Sequence, residues 1–388
     1  MALALACLAC AAPTRTPPPV ARERDIREQD IRFYQARAER DPTGAFDLAR
    51  LGALYLERGR ETGDPRDAER AEAAARRSLR NRVAHNDAAQ QVLASSLLAQ
   101  HRFDEALAVA KHLRDGDPSS AARRATVAEI EMELGQYDSA KVGFASLGDD
   151  RSSLAVAPRL ARWAEIRGHT AAARRYMRDA IATATRDPSL PHEQLAWFWL
   201  RAGDIEVRDG RYVAADSAYR NALAANPGDY RVLSGLARLA SVRHRWSDAI
   251  RFGEESIASV LDPATLGTLS DAYAAIGDTT RANEYARVLD VAVSKQPGAY
   301  HRAWSLFLLD HDRQIETVAR KIREEMKTRR DVYAYDLLAW SLHKQGRDVE
   351  AAEAMRQALS QGTRDPQLAQ HATVIVAACQ RSQVATRR

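Results

Sequence analysis

Gly210-Arg211-Tyr212-Val213-Ala214-Ala215-Asp216-Ser217-Ala218-Tyr219-Arg220-Asn221-Ala222-Leu223-Ala224-Ala225-Asn226-Pro227 is the stretch whose reading decides the fold. A glycine and an aromatic open it, a small residue stands five places after the glycine, and a second aromatic follows four later. Ala222-Leu223 and a closing proline complete it. Gly210 lets the chain leave one helix through a conformation that a side chain resists. Pro227 has no N–H with which to continue a helix and marks where the second one stops. Upstream, Trp197-Phe198-Trp199-Leu200-Arg201-Ala202-Gly203 places bulky residues ahead of a small one. Gly203 and Ala215 let two antiparallel helices approach, and a large residue there would overpack the crossing by about 1–3 kcal/mol.

A hairpin of this kind has an apolar side that it cannot bury alone, so neighbouring copies are required. Positions equivalent to Ala215 are found at Ala71, Ala106, Ala140, Ala173, Ala249, Ala282, Ile315 and Ala351, with successive spacings of 35, 34, 33, 42, 34, 33, 33 and 36 residues. Turns recur with them, as in His101-Arg102-Phe103-Asp104-Glu105-Ala106, Gly135-Gln136-Tyr137-Asp138-Ser139-Ala140 and His244-Arg245-Trp246-Ser247-Asp248-Ala249. Pattern and period resemble the tetratricopeptide repeat, whose period is 34 residues. The resemblance implies an all-α, right-handed superhelical solenoid of about nine hairpins with a capping helix at each end. It also implies that the first helix of each hairpin lines a concave face that holds extended peptides or partner helices.

Composition agrees with an all-α chain: of 388 residues only 6% are aromatic, and strand-like alternation is missing. A solenoid grows without enlarging one core, so length does not set a domain count. The net charge is +5, with 57 basic against 52 acidic residues interspersed. Only six of the basic residues are lysine, and no concentrated phosphate-binding stripe is visible, which argues against a nucleic-acid partner.

The expected organisation is a signal-like segment and Pro-rich linker at 1–20, a capping helix at 21–44 and repeats one to four at 45–185. A loop at 186–195, repeats five to nine at 196–362, a capping helix at 363–380 and a tail at 381–388 complete it. In the first capping helix Ile26, Phe33 and Ala36, with Tyr34, read as the covering face. The loop explains the 42-residue spacing and reads as a surface insertion. Residues 1–12 form an apolar run too short to span a bilayer but suited to the core of an export signal. Cys7 and Cys10 add the option of lipid attachment. Leu8-Ala9-Cys10 matches a lipoprotein box in part, and Cys10 is the preferred anchor. The other reading of the run is an apolar tail without targeting role.

Chemistry-bearing constellations are few. His192-Glu193-Gln194-Leu195-Ala196 opens like a zinc-protease motif but lacks its second histidine. Asp310-His311-Asp312 reads as a polar turn, and Cys379 sits among apolar neighbours. No catalytic, metal or cofactor residue is assigned, which leaves binding. The resemblance implies that exposed first-helix positions carry it: Trp197, Asp204 and Arg208, then Arg231 and Arg238, then Asp271. Tyr300 and Trp304 follow, and Tyr333, Asp336, Trp340 and His343 end the set. Trp, Tyr and Arg tend to dominate interface energy, although each tryptophan also has a reading as packing between repeats. Chaperone-binding members of the family clamp a carboxylate tail with lysines and asparagines, but Gln91, Ala125, Ser95 and Glu129 stand in the comparable places. The expected function is a non-enzymatic scaffold for a protein or peptide partner in a bacterial cell envelope, with a possible lipid anchor. Its rival is a cytosolic module binding nucleic acid or a small signal.

Overall fold

The computed structural model describes residues 19–148, 153–295 and 302–386, so Cys10 and Tyr300 lie outside the described residues. Twenty helices, and no strand, occupy the described residues. They are α1 (Pro19–Arg40), α2 (Ala45–Thr62), α3 (Arg66–Asn81), α4 (Asp87–Ala99), α5 (Phe103–Gly116), α6 (Ala121–Glu133) and α7 (Tyr137–Ala145). There follow α8 (Ala157–Ile166), α9 (Thr170–Arg186), α10 (His192–Arg208), α11 (Tyr212–Ala225), α12 (Tyr230–Val242), α13 (Trp246–Ile257) and α14 (Pro263–Ala275). The chain closes with α15 (Thr279–Ser294), α16 (Arg302–Asp310), α17 (Ile315–Glu325), α18 (Val332–Lys344), α19 (Asp348–Leu359) and α20 (Pro366–Thr386).

The helices pack as successive hairpins, α2 on α3 through α18 on α19, each leaning on the next. The periodic small residues explain this. Every one from Ala71 to Ala351 is buried except Ile315, which is half-buried in the least regular hairpin. Gly210 takes φ +70°, as its place at a helix end requires. His101 and His244 adopt the same left-handed backbone at the matching turns, φ 57° and 53°, which a side chain tolerates less readily than glycine. The crossing of α10 and α11 is filled by Tyr219, whose ring lies against Gly203. A Cβ on Gly203 would collide with that ring, and one on Gly235 of α12 would approach it to 3.1 Å. Tyr219 thus binds three helices through two glycine notches. Glu131, placed by register where an apolar residue is expected, is buried and reaches Lys111 at 3.4 Å.

Three expectations are corrected. The covering face of α1 is Val20, Ile31 and Ala38, while Ile26 and Phe33 face solvent. The buried face is the one that also carries Arg27, whose guanidinium meets Glu61 of α2 at 2.8 Å. Residues 186–195 are not an inserted loop: α9 runs through Arg186 and α10 starts at His192, each helix being 17 residues long. Extra helical turns, not a surface excursion, produce the long interval. The expected tail at 381–388 is helical as far as Thr386.

The coil also returns on itself. Glu23 of α1 accepts from the backbone N–H of His192 at 3.1 Å and pairs with its Nδ1 at 2.6 Å. Arg24 donates to Asn226 at 3.3 Å, and Gly63 abuts Val260 and Tyr230. Further along, the Arg330 N–H donates to the Leu134 carbonyl at 3.1 Å, and the Val332 N–H donates to the Tyr137 hydroxyl at 2.8 Å. Gly168 lies directly on the Gly362 carbonyl. One apolar cluster runs across this second seam, joining Phe144 and Leu160 to Leu337, Met355 and Leu368. Early hairpins are therefore held against late ones.

Candidate functional site

An open cavity of about 720 Å³ lies among the first helices of the early hairpins. Its wall comes from α2 (Arg60), α6 (Glu129, Glu133), α8 with its approach (Leu154, Ala155, Pro158, Arg159, Arg162) and α10 (Glu193, Gln194, Trp197, Phe198, Arg201, Arg208). Most of these are first helices of hairpins. On α8, Arg159 and Arg162 project inward three residues apart with Glu165 behind them, a spacing that sets all three on one helical face. On α10, Trp197, Arg201 and Arg208 repeat at four and seven, which also shares one face.

The charges on this wall are paired. Arg159 meets Glu129 at 2.7 Å, Arg162 meets Glu133 at 3.6 Å, and Arg231 meets Glu193 at 2.8 Å, with Arg60 at 3.7 Å from the same carboxylate. Glu165 is nearly buried and takes Arg201 at 3.1 Å and Arg208 more closely still. Burial pushes its carboxyl up, but Arg208, Arg201 and Arg162 outweigh burial and hold it below the usual range. Asp204 is treated alike: burial opposes its ionisation, yet Arg238, Arg201, Arg208 and the Tyr219 hydroxyl bring it down to about 2. Arg201 lies 2.9 Å and Arg238 2.6 Å from that carboxylate. Both acids are ionised at neutral pH and locked to guanidinium groups, so neither is poised to take a proton from a substrate. The wall offers instead an apolar strip, Leu154, Pro158 and half-buried Trp197, beside charges that can exchange partners with a ligand.

Five of the residues expected from the sequence converge here. Trp197 and Arg208 line the cavity, Arg231 clamps Glu193 on its wall, and Asp204 pairs with Arg201 of the wall and with half-exposed Arg238. Four others are corrected, because they are buried rather than exposed. Trp304 donates its Nε1 to Asp290 at 2.9 Å, and Trp340 donates to Asp310 at 2.8 Å while stacking on His371 at 4.2 Å. Asp336 is sealed between Arg302 and His371, at 2.8 and 2.7 Å. Tyr333 receives Arg162 and Arg302 on its ring. Asp336 and Trp340 tie the last hairpin to α20 through His371, and aromatic area is what a thin layer needs for stability. Asp271 pairs with His311 at 2.8 Å and His343 with Asp348 at 2.7 Å, neither on the cavity wall.

Sequence reasoning passed over Glu129, Glu133 and Arg201 as ligand positions, and Arg159, Arg162 and Glu165 altogether. The inward spacing on α8 and α10 was the available signal. Nothing local could show that Arg60, near the end of α2, meets Glu193 from the fifth hairpin.

Comparison with known proteins bears on the fold. Residues 97–152 match the family model of the tetratricopeptide repeat. No curated protein matches the chain. Among solved structures, the Cut9–Hcn1 hetero-tetramer of APC/C is 14% identical, the match covering 85% of this chain and 63% of that one at a TM-score of 0.51. PilW, a type IV pilus biogenesis factor, is 21% identical over 58% of this chain and 99% of that one, at 0.45. Yeast Tom70 is 13% identical over 93% and 94%, at 0.38. Such low identities speak to architecture alone.

Proposed function

We propose that this chain, a tetratricopeptide-repeat protein, is a non-enzymatic scaffold that docks an extended segment of a protein partner in its inner cavity. The observation that carries the reading is the cavity itself: an open space of about 720 Å³ lined by first helices, with an apolar strip at Trp197 bordered by five arginines and three glutamates. Such a wall suits a segment that inserts an apolar side chain beside Trp197 and trades its own charged groups for pre-existing partners. Because the charges are already paired, binding exchanges ion pairs rather than creating them, and most of the affinity falls to covering the half-exposed Trp197. The solenoid framework, typical of protein–protein interaction, and the lack of a free base on the wall support docking over catalysis. The arginines being paired disfavours a phosphate backbone as ligand.

We place the protein in a bacterial cell envelope, on the apolar run at 1–12 followed by Pro17-Pro18-Pro19, with Cys10 as the lipid attachment. Capture from envelope extracts compares the wild type with Trp197→Ala, a change at a half-exposed residue. The expected result is a partner recovered by the wild type and reduced at least tenfold by the variant. Recovery at background, or equal recovery by both, rejects the docking reading. Salt-dependent retention on random DNA would favour nucleic acid instead. Mass analysis of the mature amino terminus tests location: an intact Met1 refutes export, and a cleaved chain beginning elsewhere than Cys10 refutes the anchor.

A further inference from the structure

The seam between α6–α7 and the segment leading into α18 has a composition that its neighbours lack. Arg329 is buried there, and three carboxylates converge on it: Glu133 at 3.6 Å, Glu325 at 3.4 Å, and Asp331 in closer contact. Its Nε also donates to the Glu133 carbonyl at 3.2 Å, and its guanidinium covers the Phe103 ring of α5. Among the described residues, Arg162 of α8, 3.6 Å from Glu133, and Tyr137 of α7, whose hydroxyl accepts from the Val332 N–H, also face the cluster. Glu324 and Lys327 pair with each other on the exposed side.

We propose that this seam is an acid-stabilised latch: three carboxylates crowd one buried guanidinium, so the coil is held closed while one carboxyl keeps its proton and loosens when all are ionised. Glu325 is the group that carries the proton. Burial raises its carboxyl to about 7 against the pull of Arg329, and Asp331, raised by burial too, adds repulsion. The sign follows from linkage. An acid whose closed-state pKa is raised favours closure fully below its free value near 4.5, and that contribution is lost as pH rises through about 7. Glu133 and Arg162 belong to both the latch and the cavity wall. A ligand that engages either one shifts the latch, and by reciprocity the latch shifts ligand affinity. This last step rests on the docking reading above, whereas the latch does not.

Amide hydrogen exchange tests it without any ligand, so failure here is separate from failure of docking. The reporters are the Arg330 and Val332 N–H groups, which cross the seam. Amides in the middle of α12 serve as controls for global opening. After correction for intrinsic exchange, a carboxyl moving from about 7 to about 4.5 on release lowers protection at the reporters by about 70-fold between roughly pH 5 and pH 8. Glu325→Gln, which stays neutral, removes that fall. A wild-type change below tenfold, an undiminished change in Glu325→Gln, or a parallel loss at α12 overturns the proposal. The wild-type arm stands whether or not the variant folds.

Discussion

Replacing Tyr219 probes how the solenoid is keyed together. The residue is fully buried, its ring fits the notches at Gly203 and Gly235, and its hydroxyl donates to Asp204 at 2.9 Å. Tyr219→Ala removes the ring from a place where both facing residues are glycine, so little side chain is available to collapse into the void. Large aromatic-to-alanine changes cost about 3–5 kcal/mol, and the upper half of that range applies when the site cannot relax. Tyr219→Phe keeps the ring and removes only the hydroxyl. Hydrogen bonds to charged groups contribute about 1.5–3 kcal/mol, and Asp204 retains Arg201 and Arg238, so a value of about 1.5 kcal/mol is expected. Urea unfolding followed by far-UV circular dichroism measures both. Because hairpins lean chiefly on their neighbours in the chain, the alanine variant should also broaden the transition as α10–α12 melt first. A loss below about 1.5 kcal/mol for Tyr219→Ala, or equal losses for the two variants, would refute the claim that the ring keys these helices.

Two further outcomes follow from the ion pairs and the seam. Asp204, held at about 2 against an ordinary 3.8, contributes stability present above about pH 4 and lost as pH falls through about 2. Asp204→Asn should therefore cost about 2 kcal/mol at neutral pH and almost nothing near pH 2, read from denaturant midpoints at each pH. Gly168→Ala and Gly210→Ala share a backbone φ of +70°, but a Cβ at Gly168 meets the Gly362 carbonyl whereas one at Gly210 meets open space. Small-angle scattering should show an expanded coil for the first alone, and identical profiles would refute the seam.

Much of this architecture was legible in the chain. The recurrence of alanine from Ala71 to Ala351 marks where helices touch, because burial at a close crossing tolerates only small side chains. That Trp197 and Arg208 of α10 face the cavity was legible too, because helical spacing fixes which residues share a face. The exposure of Trp304, Tyr333, Asp336 and Trp340 was misjudged. Their repeat positions are first-helix positions like the others; α20 covers Asp336 and Trp340, α8 meets Tyr333 across the seam, and α15 and α17 cover Trp304. The covering face of α1 was misread because Ile26 and Phe33 are more apolar than the Val20 and Ala38 that are in fact enclosed.

By itself the sequence determined that this protein is a run of helical hairpins, since period, turn residues and small crossing positions all act between residues fewer than about forty apart. The tertiary structure alone decided that the coil closes on itself. Arg60 meets Glu193, Leu134 meets Arg330 and Gly168 meets Gly362 at separations of more than one hundred residues. Small rotations accumulated from hairpin to hairpin set where distant turns meet, and no local pattern of residue types encodes their sum.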